Sequence, residues 1–204
     1  MILIGSFGSP FARRIGVTLR HYGMTFTHSH LSTQNDRAAI AKLNPLVRIP
    51  TLVLDDGEVL TESFTIIDYL DEMMGEAQAL MPRSGAQRRA VLGMTALATG
   101  LSDKAVALYY EHLMHETPSI IWSDRCRDQV AGTLAALEAM RANNSETFWF
   151  SAAPCHADFA LACGIAFIRR VHGDLFDATR FPALAALAAR CEALPAFQAC
   201  PPPG

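Results

Sequence analysis

Along the first 76 residues, short and densely apolar runs alternate with segments whose apolar positions recur at helical spacing. Residues 1–5, Met-Ile-Leu-Ile-Gly, are apolar almost throughout, which suits a buried strand. Residues 10–22 carry Phe11, Ile15, Val17, Leu19 and Tyr22 on a helical pattern, with Arg13, Arg14 and Arg20 expected to remain available to solvent. Pro10 fits the first turn of that helix, where a missing N–H leaves nothing unpaired. Residues 25–31 read as a second strand and 36–43 as a short helix. Thr51-Leu-Val-Leu and Glu58-Val-Leu flank Asp55-Asp56-Gly57, a hairpin signal. A further helix over residues 64–74, preceded by Ser63, gathers Phe64, Ile67, Tyr69, Leu70 and Met73.

The order strand, helix, strand, helix, hairpin, helix joins a parallel βαβ unit to an antiparallel ββα unit, which is the thioredoxin-type arrangement. Residues 77–86, with Pro82 and Gly85, read as a linker. Beyond them the strand signals stop. Residues 87–115 form one long helical pattern that Gly93 and Gly100 are expected to bend or weaken. Ser123 is expected to cap a helix in which Cys126, Val130, Leu134, Leu137 and Met140 recur. Residues 158–171 are apolar enough for a buried helix, residues 182–194 give another, and the tail Pro201-Pro-Pro-Gly is expected to be irregular. The fold class is thus α/β plus all-α: a thioredoxin-like βαβαββα domain at 1–76, a linker at 77–86 and a helical bundle at 87–204.

Half of the residues are hydrophobic and 18% are charged, so the chain can bury a core and disorder is not expected. A net charge of −3, with Lys and Arg scattered, gives no reason to expect nucleic acid or an anionic membrane as partner. The start of the chain lacks a basic segment before its short apolar run, so a secretory signal is not expected. Charged residues interrupt every apolar stretch, and no bilayer span is expected. The five cysteines, Cys126, Cys155, Cys163, Cys191 and Cys200, make an odd set without a Cys-x-x-Cys pair. Neither a disulfide framework nor a zinc site is suggested; reduced thiols in a cytoplasm are the simpler expectation.

Three short segments carry candidate chemistry. Ser9-Pro10-Phe11-Ala12-Arg13-Arg14 lies at a strand-to-helix turn, where a hydroxyl sits beside free N–H groups and the positive end of a helix. It can donate to a thiolate and lower that thiol's pKa, or simply cap the helix. Asn44-Pro45-Leu46-Val47-Arg48-Ile49-Pro50 precedes a strand. A cis Ile49–Pro50 bond there turns the main chain of Ile49 toward a peptide-like ligand, whereas a trans one suits a strand edge. Thr61-Glu62-Ser63 opens a helix whose N–H groups can hold a carboxylate while Glu62 accepts from an ammonium; a plain Ser cap beside a solvated Glu is the bland alternative.

In this order and spacing the segments resemble the glutathione transferase superfamily, especially bacterial members with serine at the active-site position. Residues 44–50 are similar to the family's Asn-Pro-x-Gly-Lys-Val-Pro, Glu62-Ser63 to its Glu-Ser pair, Ser9-Pro10-Phe11 to its activating segment, and Cys155-His156-Ala157-Asp158 to its Ser/Thr-x-Ala-Asp capping motif. The resemblance implies that Ser9 stabilises the glutathione thiolate. It further implies that Phe11, Arg48, Ile49, Pro50, Glu62 and Ser63 bind the tripeptide, and that Asp158 braces a helix start. Glutathione is the implied co-substrate, with a small hydrophobic electrophile as its partner, a homodimer as the assembly, and no metal. The same site also suits isomerisation, dehalogenation, ether cleavage or peroxide reduction, and a non-catalytic binding module is a rival of another class. Val47 stands where glycine is usual, Arg48 where lysine is, and Cys155 where a hydroxyl is; the Cys155 cap is expected to be weaker.

Tyr109 and Tyr110, late in the long helix, leave two roles open: the electrophile pocket or interhelical packing. His28 with His30, and His112 with His115, could each share a face, but no complementary metal ligands accompany them. Trp122, Trp149 and Phe150 are expected in the core or at an interface, and Cys163 as a buried apolar side chain.

Overall fold

Ile2–Ile4 form β1, an interior strand of a four-stranded sheet in this computed structural model, which describes residues 1–203. β2 (Thr27–Ser29) runs parallel to it on one side and β3 (Thr51–Val53) antiparallel on the other. β4 (Val59–Thr61) pairs antiparallel with β3, giving the order β2-β1-β3-β4. The register sets Leu3 between His28 and Leu52. Helix α1 (Pro10–His21) connects β1 to β2, the short α2 (Arg37–Ala41) connects β2 to β3, and α3 (Ser63–Met74) follows the hairpin. Leu3 and Leu52 from the strands, Ile15 and Leu19 from α1, and Ile66 and Leu70 from α3 are wholly buried. Burying each such side chain contributes about 1.5–3 kcal/mol, which is why this sheet-and-helix packing holds although the strands are only three residues long.

The second unit, Ser84–Glu192, is helical. α4 (Gly85–Met114) runs unbroken through Gly93 and Gly100. Its buried Thr95, Thr99 and Ser102 return their hydroxyls to the carbonyls of Val91, Thr95 and Ala98, so polar side chains lie on an inner face without unpaired groups. α4 is also long and apolar enough to cross a membrane, which corrects the expectation that no segment would be. Packing against α5 (Ile120–Ala142) and α6 (His156–Val171) accounts for much of that apolar content. The cap of α5 is Ser119, which accepts from the Trp122 N–H at 3.3 Å, and not Ser123. Ser123 lies buried inside the helix, 3.4 Å from His112 Nε2. Exposed Ile120 and Ile121 break the amphipathic pattern and hide that first turn. α6 is buried along most of its length and crosses α4 closely at Gly164, where an added Cβ would come within 2.6 Å of Ser102 Oγ. α7 (Pro182–Glu192) completes the unit.

From Ala193 on, the described residues belong with residues 1–83 in the first unit, although the helical pattern of the second half runs straight into them. Just before the tail at 201–203, which has no regular structure as expected, lies a short helix, α8 (Pro195–Gln198), packed on α1. It corrects a second expectation: Arg13 and Arg14 are 1% and 2% exposed, not solvent-facing. Arg13 Nε donates to the Cys200 carbonyl at 2.8 Å and its guanidinium lies 5.2 Å from the Phe197 ring centre. Only Arg20 remains exposed, laid over Phe26. α1 is covered on more faces than a one-sided helical pattern allows for.

Candidate functional site

The turn after β1 leads into α1 through Ser9, which caps the helix: its Oγ accepts from the Ala12 N–H at 3.4 Å. Capping and thiolate stabilisation are compatible here. The oxygen uses a lone pair toward the helix, and its hydrogen stays available to a ligand outside it. Ser9 is partly exposed, and Phe11 follows it half-buried in the first turn.

The second segment is held from beneath by a residue that sequence reasoning passed over. Asn44, 1% exposed, donates to the Arg48 carbonyl at 3.0 Å and to Thr51 Oγ1 at 3.4 Å, while its own carbonyl oxygen takes the Leu46 N–H at 3.0 Å. This ties both ends of the turn that carries Arg48, Ile49 and Pro50. The Ile49–Pro50 bond is cis. Val47 has φ +52°, the left-handed region that suits the glycine usual at this place and strains a β-branched side chain.

The third segment begins α3. Glu62 also has positive φ, +64°, for a residue other than glycine. Ser63 is buried, and its Oγ accepts from Arg14 Nη2 at 2.8 Å. The Arg14 guanidinium also lies 4.7 Å from the Phe64 ring centre. The hydroxyl hydrogen of Ser63 is therefore free of that bond and can turn to an anion, with a buried positive charge behind it.

These segments close on one another. An added Cβ on Gly5, in the first turn, would lie 2.9 Å from Ile49 Cβ, so turn and cis-proline loop are in close contact. Arg48 pairs with Glu62 at 3.2 Å, linking that loop to the start of α3. Arg14 and Ser63 link α3 back to α1. Both Arg48 and Glu62 are about half exposed, so their pair contributes little to stability and can exchange partners. The result is a cation, an anion, a helix N-terminus and a hydroxyl within one small region of the first unit.

Asp158 stands apart, at the start of α6 in the second unit. One carboxylate oxygen takes the Cys155 N–H at 2.9 Å and lies 3.1 Å from Cys155 Sγ, and the other takes the Trp149 N–H at 2.8 Å. Burial raises its carboxyl above the ordinary range, against the pull of those donors. Burial likewise pushes the Cys155 thiol well up; its S–H donates to the Asp158 carboxylate while the sulfur accepts from the Asp158 N–H, completing a capping box through a weak acceptor. Tyr109 sets its ring edge-on to Phe167 of α6 at 5.9 Å, an interhelical packing contact, and Tyr110 packs edge-on against Tyr109 at 5.7 Å. Trp149 is buried, whereas Trp122 is exposed. His28 and His30 are in ring contact, but His28 Nε2 is committed to the Gly5 carbonyl. His112 faces Ser123 and His115 pairs with Glu111, so those two do not converge. Among the described residues no cluster of three or more potential ligands is arranged to hold a metal.

Comparison with known proteins gives the family of the chain. Residues 8–73 match the glutathione S-transferase N-terminal domain and residues 121–190 its C-terminal domain. A solved glutathione transferase family member from Pseudomonas fluorescens Pf-5, crystallised with bound glutathione, is 32% identical over the whole of this chain and 99% of its own, with a TM-score of 0.85. A glutathione S-transferase from Methylobacillus flagellatus KT with glutathione bound is 25% identical over 99% of each chain, with a TM-score of 0.91. The uncharacterised GST-like protein YibF of Escherichia coli is 36% identical over 103 residues, half of this chain and half of its own length. The chain thus spans about half the length of that curated relative in the matched region. It belongs to the glutathione transferase superfamily.

Proposed function

We propose that the protein binds glutathione in the first unit and holds its sulfur as a thiolate for reaction with a small hydrophobic electrophile. The observation that carries this reading is the closure of the three segments through Gly5 with Ile49, Arg48 with Glu62, and Arg14 with Ser63. A peptide-like ligand laid along Ile49 exchanges main-chain hydrogen bonds there. Its γ-glutamyl ammonium takes Glu62, its γ-glutamyl carboxylate takes Ser63 and the N-terminal N–H groups of α3, and its glycyl carboxylate takes Arg48. That places the cysteinyl sulfur toward the mouth of α1, where Ser9 donates and the helix end favours negative charge. Structures of relatives with bound glutathione support the ligand.

Catalysis on this reading consists of thiolate stabilisation and orientation. Serine at position 9 forms no mixed disulfide, which favours conjugation over thiol transfer. Conjugation of the alkyl or aryl type, a two-subunit assembly and a cytoplasmic setting are extensions from the family. They are read out by an electrophile screen that follows thiol consumption, by sedimentation and by cell fractionation. The direct test is Ser9→Ala. Losing a hydrogen bond to a charged sulfur costs about 1.5–3 kcal/mol, so turnover falls about tenfold to a hundredfold while retention on immobilised glutathione persists. Undiminished turnover in that variant removes Ser9 from the mechanism.

A further inference from the structure

An imidazole stands behind the turn that presents Ser9. His28, paired with Leu3 across the sheet, brings Nε2 to 2.7 Å from the Gly5 carbonyl. A carbonyl only accepts, so Nε2 carries the proton and His28 donates. The His28 ring also stacks on Phe7, with 3.9 Å between centroids and 21° between planes. Phe7 in turn occupies the notch left by Gly16 of α1, where an added Cβ would come within 2.4 Å of its ring. The main chain of the turn is tied to the β2 side as well: the Gly5 N–H reaches the Ser29 carbonyl at 2.9 Å and the Ser6 N–H the Leu31 carbonyl at 3.1 Å. From Ser6 one more hydrogen bond reaches the active hydroxyl's own residue, the Ser9 N–H to the Ser6 carbonyl at 3.0 Å.

We propose that His28 is a positioning residue: by donating to Gly5 and stacking on Phe7 it fixes residues 5–9, and with them the direction of the Ser9 hydroxyl. This rests on the reading of Ser9 as the thiolate's partner. The geometry supports it because hydrogen bonding to a thiolate depends steeply on angle, and a loosened turn leaves the hydroxyl misdirected without removing it. The titratable and charged groups that act on the ring are His30, just past the end of β2, and Arg20 of α1. Partial burial above all, with those two neighbours, holds the imidazole below its ordinary range against the pull of the Gly5 carbonyl. His28 is therefore neutral at neutral pH, and the carbonyl selects its Nε2–H tautomer.

The test titrates the ultraviolet absorbance of the glutathione thiolate bound to wild type, Ser9→Ala, His28→Phe and His28→Gln, with glutathione affinity and Tm measured on each. His28→Phe keeps a ring to stack and loses the donor; His28→Gln keeps a donor. The expected result is a bound-thiol pKa raised by about half to one pH unit in His28→Phe, about three- to tenfold less thiolate below the pKa, with affinity within about threefold of wild type and recovery in His28→Gln. A His28→Phe protein that titrates as wild type does, while Ser9→Ala is shifted, overturns the proposal and leaves the Ser9 reading intact. Wild-type titration in Ser9→Ala overturns both, since His28 then has nothing to position. Should His28→Phe not fold, His28→Gln decides: a thiol shifted as in Ser9→Ala at unchanged Tm overturns the donor role, and an unshifted one supports it.

Discussion

At Gly16 the absence of one carbon lets an aromatic ring sit against a helix. The edge of Phe7 lies where its side chain would start, 2.4 Å from the position of an added Cβ. Alanine is the better helix former by about 1 kcal/mol, but overpacking a filled site costs about 1–3 kcal/mol. Gly16→Ala is expected to lower the denaturant midpoint. A stabilised variant means that Phe7 has room to yield. Single residues also mark how far the sequence could be read. Ser9, Ile49-Pro50 and Glu62-Ser63 were visible because their chemistry is local: a hydroxyl before a helix, a proline before a strand, a cap. Arg14, Asn44 and His28 were not, because each acts on a partner distant in sequence or on main chain that no side-chain pattern encodes. An asparagine before proline, three positions ahead of the residue that takes the left-handed conformation, is the sort of signal that could have exposed the Asn44 turn.

At the scale of elements, strand and helix order followed from apolar periodicity, and the ends of elements did not. α5 starts with Ser119 as its cap, before Ile120 and Ile121, because a cap needs only main-chain geometry and tolerates exposed apolar residues beside it. α6 starts differently, with a buried carboxylate gathering the main chain. Asp158 satisfies the N–H groups of Cys155 and Trp149, both cut off from water. Replacing it by alanine orphans two buried donors, at roughly 1–3 kcal/mol each before relaxation. Asp158→Ala is expected to lose about 2–4 kcal/mol in denaturant unfolding. The loss is expected in stability rather than in glutathione affinity, because the residues proposed to hold the ligand lie in the other unit. A variant as stable as wild type shows that water replaces the carboxylate.

For the whole molecule, the five cysteines are natural reporters. All are buried and none is bridged. Burial pushes Cys200 up to about 11 and carries Cys155 and Cys191 further. Since the thiolate is the reactive form, a folded sample in mildly alkaline buffer is expected to resist alkylation that modifies all five thiols in strong denaturant. Mass-resolved labelling at intermediate denaturant then separates the units: Cys200 reports on the first, and Cys126, Cys155, Cys163 and Cys191 on the second. Rapid modification of any one of them under native conditions identifies a local opening that the static packing does not show.

Phe197 and Cys200 provide the lining for Arg13, yet nearly the whole polypeptide separates them from it. During synthesis on the ribosome, the α/β sheet, its helices and the entire bundle leave the exit tunnel before that lining does. The guanidinium must wait in water until residues 197–200 arrive, so α1 is enclosed only after the bundle between them has been made.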